Sequence, residues 1–219
     1  MINLIIKDLR LSRNVNIFAV IYVLFLAAMG LTQPISVAVH VLYIMSICMI
    51  TFAVIIYVNG YDGRNSTEAI LNSLPIDRVD IVKSKYASSL IFAVFNGIIM
   101  YIFTNLIKLF VAGVQGEPMA LWDISISIII ILMFYSLYYP FYFKMGEGMR
   151  TFNMILWVFI FILPSIVTKL GKKFQGTAIL KNISEIDPNE GMFIFLAVSV
   201  IVYIISLTIS KKLYLKREF

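Results

Sequence analysis

Long uncharged apolar runs, separated by shorter polar stretches, make up most of this chain of 219 residues. A helix needs about 20 predominantly apolar residues to cross a bilayer. Six runs are long enough, so the pattern predicts an all-α membrane protein with six transmembrane helices in a single domain over residues 1–219. The predicted spans cover residues 15–31, 35–58, 86–112, 124–143, 152–168 and 191–210.

The composition agrees with this pattern. Hydrophobic residues make up 61% of the chain and charged residues 14%, whereas soluble domains average about 45–50% and about 25%. Six spans and their loops use nearly the whole length. A separate soluble domain of about 100–150 residues therefore does not fit beside them.

The first 13 residues are amphipathic rather than uniformly apolar. Apolar side chains recur there at helical spacing, at Ile2, Ile5, Ile6 and Leu9. The other side of such a helix carries Asn3, Lys7, Arg10 and Arg13. The pattern predicts an N-terminal interfacial helix that lies along the membrane surface before the first span.

The basic residues indicate the orientation of the chain. Six spans place both termini on one side, and that side carries 13 of the Lys and Arg residues against 5 on the other. Because Lys and Arg are enriched in cytoplasmic loops, both termini are predicted to be cytoplasmic in a cell membrane protein. The net charge of +6 is thereby explained without nucleic acid. The lysine-rich stretch 169–190 breaks the trend, either because it folds back into the membrane or because its lysines reach lipid phosphates.

Residues 60–85 form the longest polar stretch of the first half and separate spans two and three. Asn65 can cap a helix that has Glu68 at its third position, which is a capping-box arrangement. The apolar face of this short helix consists of Ile70, Leu71 and Leu74.

Pro75 ends that helix, and Asp77 can cap a second helix that continues into span three. The short helix is thus displayed beneath the membrane on a stiff connection. Two interpretations of its apolar face stay open at this point: it lies on lipid, or it docks into a partner protein.

The segment from Leu71 to Tyr86, two spans after a basic amphipathic N-terminus, resembles the membrane subunit of ABC-2 type ABC transporters. The resemblance implies a cytoplasmic coupling helix between spans 2 and 3, and an exporter in which two permease subunits, identical or different, pair with two ABC ATPase subunits. ATP and Mg would then be bound by the ATPase. The docking role would fall to Asn65, Glu68, Ile70, Leu71, Leu74, Pro75 and Asp77.

Small permeases of this build also resemble the membrane subunits of the staphylococcal phenol-soluble modulin exporter. That similarity implies a hydrophobic or amphipathic cargo such as peptides. Two alternatives of other classes stay open, namely the substrate-capturing membrane subunit of a vitamin importer and a membrane-embedded enzyme.

Motifs for catalysis and for nucleotide binding are absent from the sequence. There is no phosphate-binding loop, no His-Glu-x-x-His and no Gly-x-Ser-x-Gly, and the chain has one cysteine, Cys48, and one histidine, His40. No acidic residue lies deep in a predicted span, whereas carriers driven by ion gradients usually need one. The chain is therefore predicted to be no enzyme, to hold no cofactor or metal, and to depend on a partner for energy.

Several polar and aromatic residues allow two interpretations. In span three, Asn96, Thr104 and Asn105 either line a pathway or bond across helices. His40 is expected to be a water-exposed residue near the outer interface, with a proton site as the alternative. An interfacial aromatic belt is expected to explain most of four tyrosines in span four, with cargo contact as the alternative: Tyr135, Tyr138, Tyr139 and Tyr142.

Overall fold

The computed structural model describes residues 1–64, 67–111, 116–146 and 188–217. These residues form seven α-helices and no strand, which confirms the predicted all-α class. The helices are α1 (Ile2–Leu11), α2 (Arg13–Leu31), α3 (Ser36–Arg64), α4 (Thr67–Ser73), α5 (Arg78–Phe110), α6 (Leu121–Met145) and α7 (Pro188–Leu215).

Five of the described helices are long and apolar enough to cross a membrane, namely α2, α3, α5, α6 and α7. They overlap five of the six predicted spans. The predicted span over 152–168 lies outside the described residues, as does the lysine-rich stretch 169–187.

Two helices extend further than their apolar runs. The second span was predicted to end at residue 58, but α3 continues to Arg64. Asp77 caps α5 as predicted, because its carboxylate accepts a hydrogen bond from the backbone N–H of Val79 at 2.9 Å. From this cap α5 runs without interruption for 33 residues. At 1.5 Å per residue it is about 50 Å long, which exceeds the roughly 30 Å hydrocarbon core.

The helices form a bundle with two ends, and we name each end after one residue found there. The Lys85 end contains α1, the last turn of α3, α4, the start of α5 and the last turns of α6 and α7. The His40 end contains the start of α3, the end of α5 and the start of α6. Helices α6 and α7 run in the same direction, since Phe143 and Tyr214 near their last turns have ring centroids 5.3 Å apart.

The four tyrosines of α6 are buried inside the bundle, each at most 5% exposed. The prediction of an interfacial aromatic belt is therefore wrong for them. Their spacing of three and four residues places all four on one helical face, and that face packs against aromatic rings of α3 and α5. Tyr139, for example, has its ring centroid 4.5 Å from that of Tyr86 in α5.

Candidate functional site

A cluster of four charged side chains lies at the Lys85 end. The ammonium of Lys85 in α5 is 2.6 Å from an Asp62 oxygen and 3.3 Å from an Asp8 oxygen. Lys7 contacts the same two carboxylates, at 2.8 Å to Asp62 and 3.3 Å to Asp8. The hydroxyl of Ser88 donates a hydrogen bond to Asp8 at 3.2 Å. Two positive and two negative charges thus compensate one another.

The four members of this charge cluster come from three helices that are far apart in sequence, with Lys7 and Asp8 both in α1. Asp8 lies on the inward face of α1, one turn after the buried Leu4. Asp62 lies in the last turn of α3, and Lys85 lies two turns into α5. Because an unpaired buried charge is very unfavourable, the pairing holds α1, α3 and α5 in one arrangement.

The sequence analysis did not single out Asp8, although Asp8 supplies one of the two carboxylates of this cluster. It is the only acidic residue before Asp62. Of the apolar positions predicted for the lipid-facing side of α1, Ile2 and Ile6 are exposed, whereas Ile5 and Leu9 are half-buried; Leu4 and Asp8 are buried. An outward apolar face is what a helix lying on lipid requires, so the interfacial placement of α1 stays a prediction that this exposure supports.

The predicted coupling helix corresponds to α4. Asn65 and the side chain of Glu68 lie outside the described residues. Of the predicted apolar face, Leu71 points inward and belongs to the hydrophobic core. Ile70 and Leu74 point outward, with 57% and 47% of their surface exposed. In this arrangement only the latter two offer an apolar surface to lipid or to a partner, and the docking role stays a prediction.

Two connections fix α4 to the spans. The side-chain amide of Asn72 donates a hydrogen bond to the Tyr214 hydroxyl of α7 at 3.0 Å. The exposed Pro75 lies between α4 and the capping residue Asp77, so only four residues separate α4 from the start of α5. A displacement of α4 would therefore be passed directly to α5 and α7.

A second cluster lies at the His40 end. The imidazole Nδ1 of His40 is 2.8 Å from Asp123, and its Nε2 is 3.3 Å from Glu117. The Ser36 hydroxyl donates to the same Glu117 oxygen at 2.6 Å, and the Tyr43 hydroxyl donates to the Glu117 backbone carbonyl at 3.1 Å. The start of α3 is thereby joined to the connection before α6 and to the first turn of α6.

Two sequence predictions fail at this cluster. The side chain of His40 is only 12% exposed, so it is paired with carboxylates rather than surrounded by water. The fourth span was predicted to begin at residue 124, but Asp123 already lies fully buried in the first turn of α6, where it accepts a hydrogen bond from the Ala120 backbone N–H at 2.9 Å. The histidine and its partners are about 80 residues apart in sequence, and no local pattern reveals such a pairing.

In this cluster two carboxylates, those of Asp123 and Glu117, each contact one ring nitrogen of His40. The Ser36 hydroxyl is hydrogen bonded to Glu117 rather than to His40, so the histidine does not activate it as a nucleophile. Hydrogen bonds from Ser36 and His40 hold the pKa of Glu117 below its ordinary value. In the part of the chain that the structure describes, no group of three or more His, Cys, Asp or Glu side chains is arranged to hold a metal ion.

The three polar residues of α5 with two open interpretations all make hydrogen bonds. Asn96 donates to the Thr51 hydroxyl of α3 at 3.1 Å. The hydroxyl of Thr104 accepts from the Met119 backbone N–H at 3.1 Å, and Asn105 donates to the Met119 carbonyl at 3.2 Å. These contacts agree with the interpretation that the three side chains bond to other parts of the chain. Their role in a pathway stays a prediction.

The sequence was compared with models of known protein families, and the match is to a family of transporters. A family model described as ABC-2 family transporter protein matches residues 3–215, which is nearly the whole chain. Neither the curated proteins nor the solved structures contain a match to this chain.

Proposed function

The chain belongs to the ABC-2 transporter family, and from this premise we propose that it is the permease subunit of an ATP-driven exporter. In this proposal separate ABC ATPase subunits bind ATP and Mg, and a second permease subunit, identical or different, completes the pathway. The cargo is hydrophobic or amphipathic, with peptides as the candidate class that the sequence resemblance supports.

The observation that carries the proposal is an exposed apolar pair formed by Ile70 of α4 and Leu74, the residue that follows α4. Ile70 and Leu74 project from the Lys85 end of the bundle, while Leu71 of the same helix is buried in the core. A helix fixed by its inner face and apolar on its outer face is suited to insertion into a groove of another protein. Burial of each outer side chain contributes about 1.5–3 kcal/mol to such a contact.

The proposed mechanism transmits a displacement of α4 into the spans. When ATP binding or hydrolysis moves the ATPase, α4 moves with it, and the short connection through Pro75 passes the displacement to α5. The contact between Lys85 and Asp62 then couples α5 to α3, and Asp8 extends the coupling to α1. The chain performs no chemistry in this scheme, and its role is mechanical.

The proposed topology has six spans with the Lys85 end in the cytoplasm. The parallel course of α6 and α7 supports one more crossing between them, which the sequence predicts at residues 152–168. The excess of Lys and Arg that favours this side includes four residues after α7 or in its last turns: Lys211, Lys212, Lys216 and Arg217.

Docking is tested by the Ile70→Asp/Leu74→Asp variant of the native complex. We expect the ATPase-to-permease ratio of the purified assembly to fall several-fold and cargo-stimulated ATP turnover to be lost, because two carboxylates replace the apolar contact. Membrane insertion should be unchanged, since α4 lies outside the spans.

The matched control is Ile2→Asp/Leu215→Asp, which places two carboxylates at exposed apolar positions of the same end but outside α4. Its ATPase ratio should equal that of the wild type. An unchanged ratio and turnover in the α4 variant, or equal losses in both variants, would refute docking through α4.

The orientation is tested with single cysteines in a Cys48→Ala background. A cysteine at the exposed Lys216 should be shielded from an impermeant thiol reagent in intact cells, whereas one at the exposed Val111, after α5, should be labelled. The reverse pattern of labelling would overturn the assignment of the Lys85 end to the cytoplasm.

A further inference from the structure

The junction of α1 and α2 forms the polar end of a groove on the side of the bundle. The groove has a volume of about 580 Å³ and is bounded by α1, α2 and the side chain of Phe95 in α5. Its polar end is lined by Arg10, Arg13 and Asn16. From there it continues along apolar side chains of α2, including Ile17 and Ile21.

The two arginines are held close together by the backbone of the junction. Ser12 belongs to both helices, because its N–H donates to the Asp8 carbonyl at 3.0 Å and its carbonyl accepts from the Asn16 N–H at 2.7 Å. The helical hydrogen-bond repeat therefore continues through the junction, and positions three apart stay on one side. Arg10 and Arg13 consequently line the same groove.

The groove has an uncompensated positive charge. Among the described residues, no carboxylate lies within ion-pair distance of either guanidinium, and both arginines are exposed. Asp8, the acidic residue nearest in sequence, faces the opposite side of α1 and is bound by Lys7, Lys85 and Ser88. The positive charges of Arg10 and Arg13 thus remain available to an external anion.

The position of the groove selects the chemistry of that anion. Arg13 is the first residue of a helix that is long and apolar enough to cross a membrane. When α2 crosses the bilayer, the arginines are at the level of the lipid headgroups and the apolar part of the groove is at the level of the acyl chains. Paired guanidinium groups bind phosphate oxygens strongly. We propose that the groove binds an anionic phospholipid, with its phosphate between Arg10 and Arg13 and an acyl chain along Ile17, Ile21 and Phe95. This proposal is independent of ATPase docking.

The experiment measures the lipid that stays bound to the full-length chain. The chain is reconstituted in bilayers of phosphatidylcholine and phosphatidylglycerol with equal acyl chains, extracted in mild detergent and analysed by native mass spectrometry. Because each basic contact favours the anionic headgroup, we expect phosphatidylglycerol to be enriched roughly ten-fold over phosphatidylcholine. In Arg10→Gln/Arg13→Gln the bound lipid should return to the bilayer composition, whereas Arg10→Lys/Arg13→Lys should keep most of the enrichment.

A matched control removes the same charge elsewhere at the Lys85 end. Lys212 and Lys216 are exposed, and the Lys212→Gln/Lys216→Gln variant should retain the wild-type enrichment. Ile17→Trp keeps both arginines but fills the apolar part of the groove, and it should reduce the bound phosphatidylglycerol several-fold. The unfolding midpoint of each variant is measured, and only variants that match the wild type are compared, so that a folding defect is not mistaken for lost binding.

Three outcomes would overturn the proposal. Enrichment that persists in Arg10→Gln/Arg13→Gln, or falls equally in the lysine control, would show that the groove does not select the lipid. Displacement of the lipid by millimolar inorganic phosphate would identify a site for a soluble anion instead. A shift from dimer to monomer in Ile17→Trp, without change in bound lipid, would identify a second copy of the chain as the occupant.

Discussion

The two ends of the bundle both gather charged side chains, but they differ in how far those charges are removed from water. At the Lys85 end, Asp8, Asp62 and Lys85 are each at least nine-tenths buried. At the His40 end, Asp123 is equally buried, whereas the side chain of Glu117 is 59% exposed. The first cluster joins three helices, and the second joins the start of α3 to one connection and one helix end.

This difference assigns different tasks to the two ends. A buried ion pair contributes little net stability relative to apolar packing, but removal of one partner is severe because the other charge stays buried. The Lys85 cluster therefore permits few alternative arrangements, which is what the proposed transmission of motion from α4 requires. A partly exposed carboxylate can exchange its partner for water at small cost, so the His40 end tolerates local rearrangement.

The largest expected effect follows from removal of Lys85. Lys85→Met leaves Asp8 and Asp62 buried, with Lys7 as their remaining cation, and should lower the free energy of unfolding by about 3–5 kcal/mol. Denaturant titration of the purified chain in detergent micelles measures this change. Lys83→Met is the matched control, because Lys83 is 42% exposed on the same helix, and it should cost no more than about 1 kcal/mol. Equal effects of the two substitutions would refute a buried cluster.

The packing of the backbone at the two ends can be compared through one glycine at each end. A Cβ atom on Gly116, before α6, would lie 2.5 Å from the Gly30 carbonyl oxygen and 2.7 Å from the Leu31 Cα, which cannot move independently of α2. Gly116→Ala should therefore destabilise the chain by about 1–3 kcal/mol.

Gly60, near the end of α3, has nothing within 4 Å of such an atom. Gly60→Ala should stabilise the chain by about 0.5–1 kcal/mol because alanine favours the helix. The unfolding midpoints of both variants decide the matter, and a destabilised Gly60→Ala variant would contradict the open space found beside α3.

The His40 end itself contains a buried and an exposed carboxylate for comparison. Asp123→Ala removes the hydrogen bond to the Ala120 N–H and the partner of His40, and should cost about 1–3 kcal/mol. Glu117→Gln keeps a side-chain acceptor at an exposed position and should cost clearly less than Asp123→Ala. Thermal unfolding of the two variants tests this order, and an inverted order would show that Glu117 is the main support of this end.

How much of this was accessible from the sequence depends on the range of the interaction. The apolar runs and the cap at Asp77 are local, because a run or a cap involves residues within a few positions. The cap and the five runs that fall on described residues agree with the structure. Leu71 points inward and Leu74 points outward because of the side of α4 that faces α3. A one-dimensional pattern records that both are apolar, but not what lies opposite each.

The charged clusters lay beyond such patterns for the same reason. Lys85 meets Asp8 across 77 positions, and His40 meets Asp123 across 83. The tyrosines of α6 are an intermediate case, because their spacing on one face of the helix was available from the sequence. Aromatic residues at such spacing fit either an interhelical core or a membrane interface, and only the packing of α6 against α7 decides for the core.

The smallest expected effect concerns the pH dependence at Glu117. Its pKa lies below the ordinary value of 4.5 because Ser36 and His40 hydrogen bond to its carboxylate. A lowered pKa contributes stability above the unfolded value, and that contribution is lost as the pH falls through the folded pKa. Ser36→Ala should raise the pKa of Glu117 towards 4.5, so its destabilisation relative to wild type should be present near neutral pH and vanish in acid. Ser125→Ala is the control, because that hydroxyl donates only to a backbone carbonyl. A destabilisation by Ser36→Ala that is independent of pH would show that Ser36 contributes packing rather than stabilisation of the Glu117 charge.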